Sequence, residues 1–343
     1  MSELASSILR GTDNDLVLEG KDGFLFLSGG RHSPLRFAQA SAAVKPESLR
    51  HFWANIQRRQ AQLTRRGIRY AHLIAPDKHS VCQEVFPVEV QAYLGDEYLQ
   101  AAPVEALRSW VVYPRQLLAD NYRQNCYRVD THYRPSGTLL MTRELLVTTF
   151  GEEGINLTPN ADHLQFKYQS NWSGDLGSKL SPARYEDCER IVLPRSISCY
   201  SNRLAGGNNG IIDLYINRNF ITADAKPAGL GRVLVSGDSF GRDIARTLSL
   251  ISQEVLFVRT PFLHVELVDA MKPDVVFTQN AERYLSGVSS DEARPVFFLY
   301  PFLKQNEYVV DSETAYALSA ILSYGRPPYE AFLEEIRSKP LSC

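Results

Sequence analysis

A serine acting as a nucleophile must be exposed, within reach of a base, and close to hydrogen-bond donors for the oxyanion it creates. Gly237-Asp238-Ser239-Phe240 follows an apolar run at 233–236 that reads as a strand, and it precedes a helical stretch over 240–251. Such a strand-to-helix turn presents its serine at the sheet edge, beside the unpaired N–H groups and positive dipole end of the helix. Those groups suit an alkoxide-like nucleophile and a tetrahedral intermediate. The triplet alone is common, and both Asp238 and Ser239 are good helix caps, so its context carries the reading. Of seven histidines, His132 alone sits directly after a predicted strand, with Asp130 two positions earlier. An Asp-x-His turn lets the carboxylate accept from Nδ1–H while Nε2 faces the serine. Read together, Ser239 is the candidate nucleophile, His132 the base and Asp130 its orienter.

Other residues are placed to assist. Lys78 and His79 follow a strand and are candidates to line the pocket, with a structural loop role of equal weight. Asn280 and Arg242, with Asp243 and Arg283, are placed to buttress the site or donate to the oxyanion; for Arg283, pairing with a carboxylate is the better reading. Asp13-Asn14-Asp15-Leu16-Val17 has the D-x-D-x-V spacing of phosphate-transferring aspartates, but no buried strand precedes it. The glycine-rich stretch 20–30 lacks the endings of a phosphate loop and reads as a hairpin with Asp22-Gly23 at its turn.

These residues need a sheet whose strand ends converge. Residues 46–66 place Leu49, Phe52, Trp53, Ile56 and Leu63 on one helical face, with Pro46 suited to the first turn and Gly67 to the end. Strands are predicted at 68–75, 110–113, 126–130, 233–236, 254–258 and 274–278. Helices are predicted at 116–124, 135–150, 240–251 and 265–271. The alternation gives an α/β fold with a mainly parallel sheet flanked by helices, whose ligands sit beyond the carboxyl ends of the strands. The stretch 152–228, rich in Asn, Gly and Ser, reads as an irregular insertion or small β subregion. The tail 288–343 reads as an appendage with a strand at 296–300 and helices at 312–324 and 328–339. Ser239 and His132 must share one sheet edge across 107 positions, which favours a single enlarged domain over 1–343 with a core over about 20–286.

Composition narrows the function classes. The 343 residues are 44% hydrophobic and 22% charged, a globular balance. Lys+Arg 37 against Asp+Glu 39 gives a net charge of −2 with no basic run interleaved with aromatics, so nucleic acid is not an expected partner. No apolar run approaches the roughly 20 residues of a membrane span. The opening residues carry no export signal, so the expected location is cytoplasmic. Five cysteines without C-x-x-C or zinc-like Cys/His spacing predict idle thiols and no metal site; a Cys188–Cys199 bridge is allowed in an exported protein.

The chain resembles the SGNH (GDSL-like) hydrolase superfamily, and within it the alginate O-acetyltransferase group of AlgX and AlgJ. The resemblance rests on Gly20-Lys21-Asp22-Gly23-Phe24-Leu25-Phe26, Pro76-Asp77-Lys78-His79-Ser80, Asp130-Thr131-His132-Tyr133 and Gly237-Asp238-Ser239-Phe240. The stretch from Lys272 to Leu285 is also similar. Ordinary SGNH esterases carry the serine motif first; this group, like this chain, carries Asp-x-His first. The resemblance implies an SGNH-like fold with permuted motif order, Ser239 as acyl-accepting nucleophile, His132 as general base and acid, and Asp130 as its orienter. Tyr133 stands where the group usually has Trp, which implies an aromatic pocket wall with an added hydroxyl. The group's enzymes work in the periplasm, which gives that compartment as the alternative location.

The expected function is a serine-dependent O-acetyltransferase acting on a bacterial polysaccharide or other glycan, without metal or redox cofactor. Its expected partners are an acetyl donor, a glycan acceptor and other polysaccharide-assembly proteins. An acetylesterase using the same residues is the nearest alternative, and a non-catalytic glycan-binding or scaffold protein is the alternative from another class.

Overall fold

Apolar runs rich in Val, Ile and Leu, bounded by Gly, Pro and Asp, form the strands of this chain. A computed structural model describes residues 16–30, 32–202, 209–220, 229–297 and 300. Strands β1 (Val17–Glu19) and β2 (Leu25–Leu27) make the predicted hairpin, with positive φ at Asp22 and Gly23. The main sheet takes β3 (Arg69–Ala75) and β4 (Val111–Val112); β5 (Phe166–Trp172) and β6 (Glu186–Ile191) pair separately as an antiparallel ribbon. Strands β7 (Ile197–Ser201), β8 (Ile212–Asn217), β9 (Leu230–Gly237), β10 (Ser252–Arg259) and β11 (Val275–Ala281) complete the main sheet, in the order β4-β3-β11-β9-β10-β8-β7. The first five in that order run parallel; β8 pairs antiparallel with β10, and β7 antiparallel with β8.

Helix α1 (Pro46–Thr64) covers one face of the sheet; α2 (Pro135–Phe150) and α4 (Ser239–Leu248) cover the other. A single turn, α3 (Gly174–Gly177), lies between α2 and α4 in sequence, and α5 (Val265–Met271) follows β10. Strand alternation divides the core. Ala71, Leu73, Val233, Val235, Phe257 and Phe277 pack with Met141, Leu145, Ile244 and Leu248 on the α2/α4 face. Tyr70, Ile74, Leu234 and Val276 pack with Phe52, Trp53, Ile56 and Leu63 on the α1 face. Each such large aliphatic side chain contributes about 1.5–3 kcal/mol through burial.

The expected mainly parallel α/β sheet is present. Four local expectations are corrected. Residues 126–130 form no strand: Cys126 makes a lone bridge to Tyr133, and the carbonyls of Arg128 and Asp130 are taken by the ammonium of Lys78. The helix expected at 116–124 breaks into two short ones, Arg115–Ala119 and Tyr122–Asn125. The stretch 152–228 is more ordered than expected, because β7 and β8 extend the main sheet beyond β10. In the run 296–300, Val296, Phe297 and Tyr300 form no strand, and Phe297 and Tyr300 enter the α1-side core. The helices expected at 312–324 and 328–339, Cys343, and the Asp13 and Asp15 pattern lie outside the described residues. Cys188 and Cys199 are free thiols. Among the described residues no helix is long and apolar enough to cross a membrane.

Candidate active site

The turn after β9 is built by hydrogen bonds that leave one serine unspent. Asp238 is the N-cap of α4: one oxygen accepts from Phe240 N–H at 2.9 Å and the other from Ala281 N–H at 2.6 Å. Gln279, from the neighbouring β11, accepts from Asp238 N–H and Gly241 N–H through Oε1 at 3.1 and 3.0 Å. This close approach explains Gly237, where a Cβ would stand 2.6 Å from Gln279 Oε1. Ser239 is the first helical residue, and its hydroxyl makes no hydrogen bond among the described residues. The sequence suggested that the helix N-terminus as a whole would serve an oxyanion. Instead, the N–H groups of Phe240 and Gly241 are spent on Asp238 and Gln279, which leaves the N–H of Ser239 itself as the donor beside the hydroxyl.

His132 comes from the loop between Cys126 and α2. Its Nδ1 lies 2.6 Å from Asp130 Oδ1, which also accepts the His132 backbone N–H at 2.7 Å. With Asp130 ionised, Nδ1 keeps a proton in either charge state of the ring, so in the neutral imidazole the lone pair is on Nε2. The partly exposed ring packs on Phe240, the residue after Ser239, with centroids 4.8 Å apart. The structure therefore brings Asp130, His132 and the Ser239 turn to one end of the sheet. No hydrogen bond joins Ser239 to His132. Burial opposes a charged His132, but the hydrogen bond and charge of Asp130, with the charges of Asp243 and Asp175, push its pKa up to about 9. Burial likewise opposes an ionised Asp130; the bond and charge of His132 and the N–H of Asp175 outweigh it and hold the carboxyl below its usual range.

Asp175, which the sequence reading did not single out, locks this pair. Its N–H donates to Asp130 Oδ2 at 2.6 Å, and its carboxylate accepts from the N–H of Thr131 at 2.7 Å and from the Thr131 hydroxyl. Gly174 has φ +59°, and a Cβ there would come within 2.8 Å of Asp130 Cβ, so only glycine lets the turn approach. The ligand atoms of Asp130, His132 and Asp175 lie within 4.8 Å of one another. Since Nδ1, both Asp130 oxygens and the Asp175 carboxylate are already engaged with protein donors and acceptors, the cluster is built as a hydrogen-bonded chain. Asp175→Ala is expected to lower kcat by about 10- to 100-fold by loosening Asp130 and Thr131. Asp175→Asn, which keeps an oxygen for the Thr131 N–H, is expected to recover most of it; steady-state kinetics on both variants checks this.

Four expected pocket residues are engaged in contacts within the protein. Lys78 is buried with its ammonium donating to the carbonyls of Leu25, Arg128 and Asp130 at 2.8, 2.8 and 3.0 Å, so it ties β2 to the Asp130 loop. His79 is buried against Phe86 and contacts Ser80. Tyr133, expected as an aromatic wall, is buried with its hydroxyl donating to the Pro76 carbonyl at 2.8 Å. Arg242 is paired in bidentate fashion with Asp213 of β8. Arg283 pairs with Asp77, the reading preferred from sequence. Asn280 does line a cavity bordered by Gly237 and Asp238. Gln279, its neighbour, was missed, although its place at the end of β11 follows the same rule that singled out Asn280.

A family profile described as the SGNH hydrolase-like domain of the acetyltransferase AlgX matches residues 17–188, half of the chain. The structure is similar to that of Bacillus cereus PatB1, with TM-score 0.57, 13% identity, and coverage of 79% of this chain and 97% of that one. It is also similar to a DHHW family protein from Eubacterium siraeum, with TM-score 0.51, 8% identity, and coverage of 79% and 95%. The O-acetyltransferase domain of Pseudomonas putida AlgJ aligns at TM-score 0.46 and 16% identity, over 80% of this chain and 93% of that one. At these identities the likeness to PatB1 and to the DHHW family protein speaks to fold. A sequence comparison with curated proteins gives no match.

Proposed function

The chain belongs to the SGNH hydrolase-like family of the acetyltransferase AlgX and is an O-acyltransferase, and from that premise we propose that it moves acetyl groups onto glycan hydroxyls through an acyl-enzyme at Ser239. The observation that carries the mechanism is the imidazole of His132, fixed by Asp130 through Nδ1 and packed on the residue that follows Ser239. His132 Nε2 takes the Ser239 proton as Oγ attacks the acetyl carbonyl, and Asp130 stabilises the imidazolium. The Ser239 N–H is the donor nearest the new oxyanion. The leaving group departs with the proton from Nε2. A sugar hydroxyl then gives its proton to His132 and attacks the ester carbonyl, and Ser239 leaves with that proton.

Incubation with p-nitrophenyl acetate and an oligosaccharide tests the reading. Acetylated sugar formed in preference to free acetate is the expected result. Free acetate alone would make the protein an esterase, and no donor turnover would favour a non-catalytic glycan-binding role.

The pH profile follows from the charges around His132. Acylation needs neutral imidazole, and a pKa raised to about 9 keeps the ring protonated at neutral pH. The rate of acylation is therefore expected to rise with pH and level off above about 9. Asp243→Asn removes one carboxylate that favours the imidazolium, so the midpoint should move toward the ordinary value of about 6.5. A profile flat from neutral to alkaline pH would contradict this.

A further inference from the structure

The hydrogen bond to Asp130 fixes one atom of the His132 ring and leaves the plane of the ring to be set by packing. Phe240 supplies that packing. Its side chain is buried, and the two rings meet with centroids 4.8 Å apart and planes 34° off parallel, an inclined stack. Tyr133 meets Phe240 edge-on at 5.9 Å.

Phe240 is in turn faced by a buried cation. Arg283 lies in the short turn Glu282–Ser286 that follows β11. Its guanidinium stands 5.4 Å from the Phe240 centroid and 5.3 Å from that of Tyr284, within the range of cation–π attraction. Asp77, just beyond β3, balances its charge. Another buried arginine pair gives a comparison. Arg59 donates to both oxygens of Asp291 at 2.7 Å and to the Pro261 carbonyl at 3.1 Å. Among the described residues, Arg283 reaches Asp77 through Nη1 alone, and Asp77 Oδ2 is buried without a partner. An ion pair serving stability alone gains most by closing both oxygens, as Arg59 does. Arg283 instead presents its flat cation to two rings, a contact that suits guanidinium better than ammonium.

We propose that Phe240 is a positioning residue for His132, and that Arg283, anchored by Asp77, is a positioning residue for Phe240. Ser239 adjoins Phe240 in the chain, so nucleophile and base are both referenced to one ring, and the stack aims Nε2 at the hydroxyl. A misplacement of about 1 Å between such groups costs on the order of 10²-fold in rate. The proposal rests on the serine reading above, and its test separates the two.

Acetylation of Ser239 by p-nitrophenyl acetate is followed in a single turnover by peptide mass, beside kcat, KM and thermal unfolding, for Phe240→Leu, Arg283→Lys and the double variant. Leucine fills most of the space without an aromatic face; lysine keeps a charge for Asp77 without the flat guanidinium. Phe240→Leu is expected to slow acetylation and kcat about 10- to 100-fold with KM within about twofold, and Arg283→Lys to slow them about tenfold. Because Arg283 acts through the ring, adding Arg283→Lys to Phe240→Leu is expected to cost less than about twofold more. Losses that multiply, a change confined to KM, or a parent-like rate in either single variant would overturn the proposal. Where Phe240→Leu does not fold, Arg283→Lys decides: a tenfold loss of kcat at parent-like KM and unfolding temperature supports the proposal, and a parent-like kcat overturns it. A parent protein that turns over donor without a label at Ser239 would overturn the serine reading and this proposal with it. A labelled parent whose variants label as fast would overturn this proposal alone.

Discussion

Asp130→Asn is expected to lower turnover by about 10⁴-fold in a protein that still folds. The reason lies in how its two oxygens are shared. Oδ1 accepts both the N–H and the Nδ1–H of His132, and Oδ2 accepts the N–H of Asp175. Asparagine has one acceptor and one donor. If its oxygen stays on Asp175, its NH2 faces His132 Nδ1 and selects the tautomer whose proton is on Nε2, the wrong nitrogen for a base. If the oxygen stays on His132, the NH2 meets the N–H of Asp175 and the turn at Gly174 is pushed away. Either way the imidazolium loses its counter-charge. Donor turnover measured beside thermal unfolding checks this. A large loss of kcat with a nearly unchanged unfolding temperature is expected. An unfolded variant would mean that Asp130 serves the fold first, and unchanged turnover would remove it from the mechanism.

Ser239→Ala costs more, about 10⁶-fold in kcat if the hydroxyl is the nucleophile, because no later step can proceed without the ester. The structure gives this variant little reason to unfold. The cap of α4 is Asp238, Gln279 holds the neighbouring N–H groups, and the Ser239 hydroxyl has no hydrogen bond among the described residues. Stability near that of the parent, judged by chemical denaturation, with turnover reduced to background, is the expected pair of results. The contrast with Asp238→Ala is informative: that variant loses a cap typically worth about 1 kcal/mol as well as the tie to Ala281.

The sequence made the main framework legible because its strands are short apolar runs with clear ends, as at β3 and β9, and its long helices have periodic faces, as in α1. Gly237-Asp238-Ser239 and Asp130-Thr131-His132 stood out in the sequence because each pattern is compressed into three consecutive residues. What failed depends on contacts distant in sequence. Residues 126–130 look like a strand, yet their carbonyls meet Lys78 rather than a sheet neighbour. Lys78, His79 and Tyr133 follow strands or motifs, but nothing local says that they turn inward. Asp175 lies 45 residues beyond Asp130 in a stretch without periodicity, and its role appears only when the turn at Gly174 folds against Val129 and Asp130. Gln279 reads as one more polar residue at a strand end until its oxygen is seen holding the N–H groups around Ser239.

The most direct test of the serine mechanism is the site of acylation. The protein is mixed briefly with an activated acetyl donor, quenched in acid, and digested for peptide mass analysis, with Ser239→Ala treated in parallel. One acetyl group on the peptide carrying Ser239, absent from the variant and discharged when an oligosaccharide is added before quenching, is the expected result. Acetyl transfer to sugar that persists in Ser239→Ala, or a stable label on another residue, would contradict it.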